Sequence, residues 1–299
     1  MAFSLLQEAD LSAPYWQPWS QWFTPVPDLT LAPPGQVAEY LNQRKPHSLA
    51  KLFVHQDKLP TGMAYESYIA EADRIPTRDG LHDFFNGLCW FAFPRTKSLF
   101  NRLHQEQIAQ LGTQARGRLR DMLTVIDENG FLIQAPDELW NALKAKHWQK
   151  AFVELRPLWQ ETTLMVFGHA LLEKLTQPYK AITAHALRIP NDLNLGNLDL
   201  KCVQEEQEGL GSNLLKRQLD VIQAQHHPTP HALFDINAPQ TFQSHELSAL
   251  DAYLAQQLSA SYLVTKPYIP IQIFGIPGWS AEQNEVGFYE DTQVFRPPR

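Results

Sequence analysis

Hydrophobic and polar positions follow the period of an α-helix along residues 75–101, IPTRDGLHDFFNGLCWFAFPRTKSLFN. Counted from His82, one face of the predicted helix is apolar and consists of Phe84, Phe85, Leu88, Cys89 and Phe91. The other face carries His82, Asp83, Asn86 and Trp90. A solvent-facing helix surface is typically rich in Lys, Glu and Gln, whereas this one combines an imidazole, a carboxylate, a carboxamide and an indole. The pattern therefore predicts that one face packs into a core and the other forms part of a ligand site.

Capping and turn residues divide the rest of the chain into shorter elements. Asp79 is the predicted N-cap of the helix that carries His82, and Pro94 ends or kinks that helix. Further helices are predicted at 36–44, 96–111 (closed by Gly112), 136–146, 149–155, 169–175, 212–225 and 246–260. Residues 162–167 are typical of a buried strand and 181–189 of an extended segment, while 52–55 and 65–70 fit short extended or helical pieces.

The segment RGRLRDMLTVI, residues 116–126, has two interpretations. On a helical wheel Arg116, Arg120, Asp121 and Thr124 align on one side, and Leu119, Met122, Leu123 and Ile126 on the other. However, LTVI-DENG-FLI also forms two short β runs around a four-residue turn, with Asn129-Gly130 as the turn signal. The pattern leaves open whether this segment ends as a helix or as a hairpin.

Segments of biased composition complete the chain. Residues 1–35 carry Trp16, Trp19 and Trp22 among many prolines, which indicates an aromatic, Pro-rich N-terminal arm laid over the body. Residues 190–245 are polar and Gln-rich and are interpreted as a peripheral insert, and the tail from residue 267 as a long ordered loop. Together these features predict one compact α+β domain over residues 1–299, mainly helical, with a few short strands and long Pro/aromatic-rich loops.

Composition narrows the classes of protein to consider. The 299 residues are 44% hydrophobic and 19% charged, which is sufficient apolar material for a globular core. The formal net charge of −7 speaks against binding along a nucleic-acid backbone. No apolar run reaches the length of a membrane span, and the first residues lack the basic and apolar regions of a signal peptide. With only two cysteines, these features predict a cytoplasmic protein without nucleic-acid or membrane partners.

Polar residues from several segments suggest metal-assisted hydrolysis of a small anionic substrate that bears phosphate or carboxylate. His82, Asp83 and His169 are candidate ligands of a divalent metal ion, and Asp127 or Glu128 a candidate ligand or catalytic base. Asn86 is a candidate substrate-binding residue, and Arg118 or Arg120 would clamp the anion through paired donors. This hypothesis requires distant parts of the chain to meet in one polar cavity.

Two other interpretations remain open. The adjacent His82-Asp83 resembles the metal-binding dyad of the helical HD-type phosphohydrolases, with His55 upstream and Asp121 or Asp127 downstream. However, the small residue usual after that dyad is replaced by Phe84. Alternatively, the protein is a non-catalytic ligand-binding or scaffold protein, in which the polar residues form a hydrogen-bond network that fixes the fold.

Several separated segments together resemble a bacterial family of unknown function, DUF3025. They are YESYIAEADRIPTRDGLHDFFNGLCWFAFPRTKSLFN, RGRLRDMLTVIDENG, VFGHALLEKL and PIQIFGIPGWSAEQNEVGFYEDTQVFRP. The resemblance runs from about residue 50 to the end of the chain and is weakest at 190–245. It carries no established activity. It implies a cytoplasmic bacterial protein with a pocket at the matching positions Arg78, His82, Asp83, Asn86, Arg118, Arg120, Asp121, Asp127, Glu128 and His169, in which Arg78 would bind substrate.

Overall fold

The helix predicted around His82 runs from Leu81 to Ala92 in the computed structural model, which describes residues 2–29, 33–112, 117–193 and 239–298. The five residues of its predicted apolar face are at most 4% exposed. Because these side chains recur once per turn, the helix can bury them as a continuous stripe. The prediction of a core-facing side is confirmed.

Helices make up most of the described structure, and the predicted α+β class is confirmed. They are α1 Ala2–Glu8, α2 Gln36–Arg44, α3 Tyr65–Ala72, α4 Leu81–Ala92, α5 Pro94–Leu111, α6 Arg118–Asn129, α7 Asp137–Lys144, α8 His169–Lys174, α9 Leu247–Gln257 and α10 Ala260–Leu263. A π-helical turn at Lys150–Glu154 replaces the predicted helix 149–155. No helix of the described segments combines the length and apolarity needed to cross a membrane.

The strands form two small sheets. The first pairs β1 Leu52–His55 with β2 Arg74–Thr77 in parallel. The second has the order β6-β4-β3-β5-β7 and consists of β3 Gly130–Gln134, β4 Thr163–Val166, β5 Thr183–Arg188, β6 Gln240–Thr241 and β7 Tyr268–Gln272. Strand β3 lies at its centre and is almost entirely buried, as expected for a short apolar run without alternation.

The predicted tail loop contains a strand that the sequence analysis missed. Pro270 argues against a strand because proline has no N–H for the ladder. However, β7 lies at the edge of the five-stranded sheet, where proline is tolerated.

The ambiguous segment after residue 116 is a helix and not a hairpin. Helix α6 continues through Asp127 and Glu128, and β3 begins directly at Gly130. A Cβ at position 130 would lie 2.3 Å from the carbonyl oxygen of Ile126, so the abrupt change from helix to strand needs glycine. The Asn129-Gly130 signal therefore marks the end of a helix.

Asp79 caps a different helix from the one predicted. The N-cap of α4 is Gly80, and the Asp79 carboxylate instead accepts hydrogen bonds from the backbone N–H groups of Gly35 and Val37 at the start of α2. A carboxylate at a helix N-terminus is favourable whichever segment supplies it. Sequence spacing identified the capping residue and assigned it to the wrong helix.

The N-terminal arm packs under α4, as its aromatic content predicts. Trp16 and Trp19 are fully buried, and the Trp16 ring stacks on Phe85 with ring centroids 5.8 Å apart. The arm is not wholly irregular, since it begins with α1 and contains two short 3-10 turns. Most of the predicted polar insert 190–245, with the predicted helix 212–225, lies outside the described residues.

Candidate functional site

A cavity of about 420 Å³ lies among helices α3, α4, α5, α6 and α8. This volume suits a small ligand. Of the ten family-matched polar positions, seven line it, namely Arg78, His82, Asp83, Asn86, Asp127, Glu128 and His169. The predicted convergence of these distant residues on one cavity is therefore observed, although their chemical roles stay predictions.

Two histidines form the centre of the site. The Nε2 atoms of His82 and His169 are 3.1 Å apart, and their rings meet edge to face. The Nδ1 atom of His82 lies 2.9 Å from a carboxylate oxygen of Glu173, and the Nδ1 atom of His169 lies 2.8 Å from the backbone carbonyl oxygen of Asp127. Both Nδ1 neighbours can only accept, so each Nδ1 carries a proton. The facing Nε2 atoms then need one proton between them.

The surroundings place that proton on His82. The hydrogen bond to Glu173 raises the pKa of His82, and burial lowers the pKa of His169 to about 4. Both shifts favour the shared proton on His82, with His169 as its neutral acceptor. The result is a one-way chain in which His82 donates to Glu173 and to His169, and His169 donates to Asp127.

A buried lysine extends this chain across the cavity. The Lys97 ammonium is 5% exposed and donates to the carboxylate of Asp127 at 2.5 Å and to the amide oxygen of Asn86 at 2.8 Å. The Asn86 amide in turn donates to the hydroxyl oxygen of Tyr65 at 3.1 Å. Burial alone would raise the pKa of Asp127, but the positive charge of Lys97, with its hydrogen bond, holds it below its usual value. One hydrogen-bonded network thus runs from Tyr65 to Glu173 through residues of five helices, with the Asp127 backbone carbonyl as the link to His169.

Asp83, predicted as a metal ligand, is bound by Arg78. Its carboxylate accepts from the Arg78 backbone N–H at 2.6 Å and from the guanidinium at 3.0 and 2.8 Å. These contacts occupy both carboxylate oxygens. Within the described residues, no group of three or more His, Cys, Asp or Glu side chains is placed to hold a metal ion. The metal-binding role of His82, Asp83 and His169 remains a prediction.

Three predicted residues of α6 do not line the cavity. Arg118 and Asp121 are exposed, and Arg120 is partly buried. The cavity is lined by Thr124, Asp127 and Glu128 of this helix. Arg118 precedes Thr124 by six residues, which is about 240° around the helix axis and explains why it points elsewhere. The anion-clamp role of Arg118 and Arg120 remains a prediction without a cavity contact.

Comparison with known proteins supports the resemblance seen in the sequence. The family model described as "Protein of unknown function (DUF3025)" matches residues 52–230 and 219–299. The chain belongs to the DUF3025 family. A search of curated proteins and a search of solved structures give no significant match.

The structure adds five DUF3025 site residues that the sequence analysis missed: Tyr65, Glu66, Lys97, His104 and Glu173. Lys97 and His104 share one face of α5 with the apolar Phe100, and polar residues within an apolar stripe are a usable signal. Glu173 follows His169 by four residues and therefore shares its helix face. Tyr65 gave no signal, because a single tyrosine at a helix start is common.

The HD-type arrangement does not form in this DUF3025 protein. His55 is not among the cavity residues and lies beside the carboxylates of Asp57 and Asp79, at 3.2 and 3.6 Å. Because His55 lies outside the cavity that His82, Asp83 and Asp127 line, the four residues that this interpretation requires do not converge.

Proposed function

We propose that this DUF3025 protein is a cytoplasmic hydrolase that cleaves a small polar substrate in the cavity, with His82 and His169 as its proton-transferring pair. The observation that carries the proposal is the 3.1 Å contact between the two Nε2 atoms, with each Nδ1 fixed by an acceptor. Such a pair offers an acid and a base side by side, and hydrolysis needs both.

In the proposed chemistry His169 takes one proton and His82 gives one. Substrate and water must first displace the direct hydrogen bond between the two Nε2 atoms, because it occupies the lone pair of His169 Nε2. The freed Nε2 of the neutral His169 then takes a proton from the water while the water oxygen attacks the substrate. His82 gives its Nε2 proton to the leaving group. His169 then carries the extra proton and passes it to His82 across the short contact, which restores the starting state. Glu173 favours this return because its carboxylate stabilises a positive charge on His82.

The other network residues have supporting roles in this proposal. Asp127 orients His169 through its backbone carbonyl, while its carboxylate holds Lys97. Asn86 is fixed by Lys97 and Tyr65 and lines the substrate space. Glu128 also lines the cavity and is a second candidate base.

Turnover of chromogenic substrates tests the proposal. We expect release of 4-nitrophenol or 4-nitroaniline from a panel of 4-nitrophenyl esters, phosphates and amino-acid 4-nitroanilides. His82→Gln and His169→Gln should each lower kcat by about a hundredfold, which is typical of lost acid–base catalysis. His47→Gln, at an exposed position, is the control. Equal turnover in the folded histidine variants would contradict the proposal.

The sequence-predicted metal role is tested with the same proteins. Elemental analysis of tag-free protein, with His82→Ala alongside, reports whether a divalent ion accompanies the chain. If the parent protein holds a metal ion that His82→Ala lacks, the two histidines share a metal ion and not a proton. In that case His82 and His169 would be its ligands, with their Nδ1 anchors acting as the usual outer-shell partners.

A non-catalytic role is the second candidate. It is favoured because consecutive residues from Tyr65 to Glu173 are joined by hydrogen bonds within the protein. Fully satisfied buried networks commonly fix a unique packing. Under this alternative, His82→Gln lowers the free energy of unfolding and no substrate of the panel is turned over.

A further inference from the structure

We infer that the ligand of this cavity carries an ammonium group, which Glu66 and His104 receive beside the aromatic side chains of Tyr65 and Trp90. This inference deepens the proposed function, on which it rests, by naming the substrate class. It is carried by the charge balance of the cavity, by an unpaired buried imidazole nitrogen and by the aromatic lining.

The charge that remains unpaired in the cavity is negative. The arginine and lysine side chains that line it are those of Arg78 and Lys97. Arg78 contacts the carboxylate of Asp83, and Lys97 contacts that of Asp127. The other two lining carboxylates, Glu66 and Glu128, have no cation within ion-pair distance among the described residues. An anionic ligand would meet these charges without compensation, whereas a cation would be stabilised by them. The balance therefore favours a cation over the anionic substrate that the sequence suggested.

Glu66 is fixed next to the residues that would share the ligand with it. Its backbone carbonyl accepts a hydrogen bond from the buried Asn101 at 2.9 Å, which ties α3 to α5. Its carboxylate is close enough to add to the raised pKa of Tyr65, after burial, Asp83 and Asp127, and to oppose the burial effect that lowers the pKa of His104. This negative charge therefore acts on the same part of the cavity as the tyrosine and the histidine.

His104 offers a nitrogen that the protein itself does not use. Its Nδ1 atom is buried and has no hydrogen-bond partner among the described residues. Burial lowers the pKa of His104, so the ring is neutral and one of its nitrogens can accept a hydrogen bond. A buried polar atom without a partner calls for a missing partner such as a ligand or an ordered water. An ammonium group has three donors and can satisfy His104 and Glu66 together.

The aromatic lining suits the same kind of ligand. Tyr65, Trp90 and Phe100 line the cavity, and ring faces attract cations. Trp90 is 2% exposed and already has the Lys97 ammonium 5.7 Å from its ring centroid. Neither the indole N–H of Trp90 nor the hydroxyl proton of Tyr65 has an acceptor among the described residues. The ligand is therefore a small ammonium compound that also offers an acceptor, as a carbonyl would.

Three ligands of similar size and different charge test this inference. Benzylammonium, benzyl alcohol and benzoate are titrated separately into the full-length protein at neutral pH, with calorimetry and protein NMR shifts as readouts. We expect saturable binding of benzylammonium and at least about tenfold weaker binding of the other two, as loss of charge-assisted hydrogen bonds implies. Tighter binding of benzoate, equal binding of all three, or no binding at millimolar concentration would overturn the inference.

Matched variants locate the binding. Glu66→Gln keeps the shape and removes the charge, and should weaken benzylammonium about tenfold. Glu71→Gln, at an exposed position on the same helix, should leave binding unchanged. His104→Gln is the second variant, which keeps the test decisive if Glu66→Gln folds poorly. Unchanged binding in both cavity variants would overturn the inference.

Failure of this inference is distinguishable from failure of the proposed function. His82→Gln should lose turnover of any panel substrate and still bind benzylammonium. If Glu66→Gln binds benzylammonium as the parent does while His82→Gln loses turnover, the substrate class is wrong and the hydrolase stands.

Discussion

Replacing Lys97 by methionine removes the only cation that contacts the Asp127 carboxylate among the described residues, at nearly constant volume. The parent ammonium is 5% exposed and donates to Asp127 and Asn86, so both acceptors lose a donor in the variant. Methionine fills the space of the lysine stem, and packing therefore changes little. The experiment isolates what the buried charge contributes.

The expected loss is about 3 kcal/mol of unfolding free energy. Breaking a buried ion pair by removing one partner typically costs about 3 to 5 kcal/mol, because the other charge is left uncompensated. The Asp127 side chain is 24% exposed and water can partly replace the ammonium, which places the effect at the lower end. The double variant Lys97→Met/Asp127→Asn leaves neither charge uncompensated. A double-mutant cycle with the two single variants should therefore show a coupling free energy of about 2 kcal/mol between Lys97 and Asp127.

Urea unfolding at pH 7, followed by circular dichroism and tryptophan fluorescence, measures these differences. The control is Arg102→Met on the same helix, whose guanidinium pairs with Glu106 at the surface with both side chains about half exposed. Such exposed pairs contribute less than about 1 kcal/mol.

The pH dependence has a defined sign. The folded-state pKa of Asp127 lies below its usual value, so the stability that this carboxylate contributes is present above the unfolded pKa and is lost as pH falls through the folded pKa. The difference between parent and Lys97→Met should therefore shrink below about pH 4. A loss no larger than that of Arg102→Met, or a difference that persists in acid, would refute this account of the buried pair.

Two further predictions follow from the site. Glu173→Gln should lower the pKa of His82, measured by NMR titration, because it replaces the carboxylate whose hydrogen bond raises that pKa. The stability that this pair contributes is present below the unfolded-state pKa of His82 and is lost as pH rises through the folded-state pKa. An unchanged titration of His82 in the variant would exclude the contact. Gly168→Ala should lower the free energy of unfolding by about 2 kcal/mol or more, measured by urea unfolding, since its Cβ would lie 2.3 Å from the Glu128 carbonyl oxygen. Gly80→Ala meets nothing within 4 Å and should cost less than about 1 kcal/mol.

Local pattern was sufficient to predict the two faces of α4. The apolar stripe is buried, and His82, Asp83, Asn86 and Trp90 all line the cavity. Side-chain direction on a helix depends only on spacing along the chain, so this information is already present in residues 81–92. Asp127 and His169 were grouped with the α4 residues by their chemistry alone, and no periodicity of their own segments placed them on the cavity.

Partners across the fold could not be predicted in the same way. Asp79 was predicted to cap α4, but it binds the N-terminus of α2 through the backbone N–H of Val37, 42 residues earlier in the chain. The partners of Glu173 and Lys97 are defined only when α4, α5, α6 and α8 are packed together. The contact of Arg78 with Asp83 depends on how the chain passes from β2 into α4, which no periodicity encodes.

The aromatic arm has a consequence for where the folding unit begins. The family model starts at residue 52, yet the underside of α4 is covered by Phe3, Trp16 and Phe23, with ring centroids 5.4 to 6.4 Å from Phe84 or Phe85. A protein truncated to the residues that the family model matches would expose this aromatic surface to water, and such a surface promotes aggregation. The segment that the family model matches is thus shorter than the segment that packs around α4 and holds His82 in place.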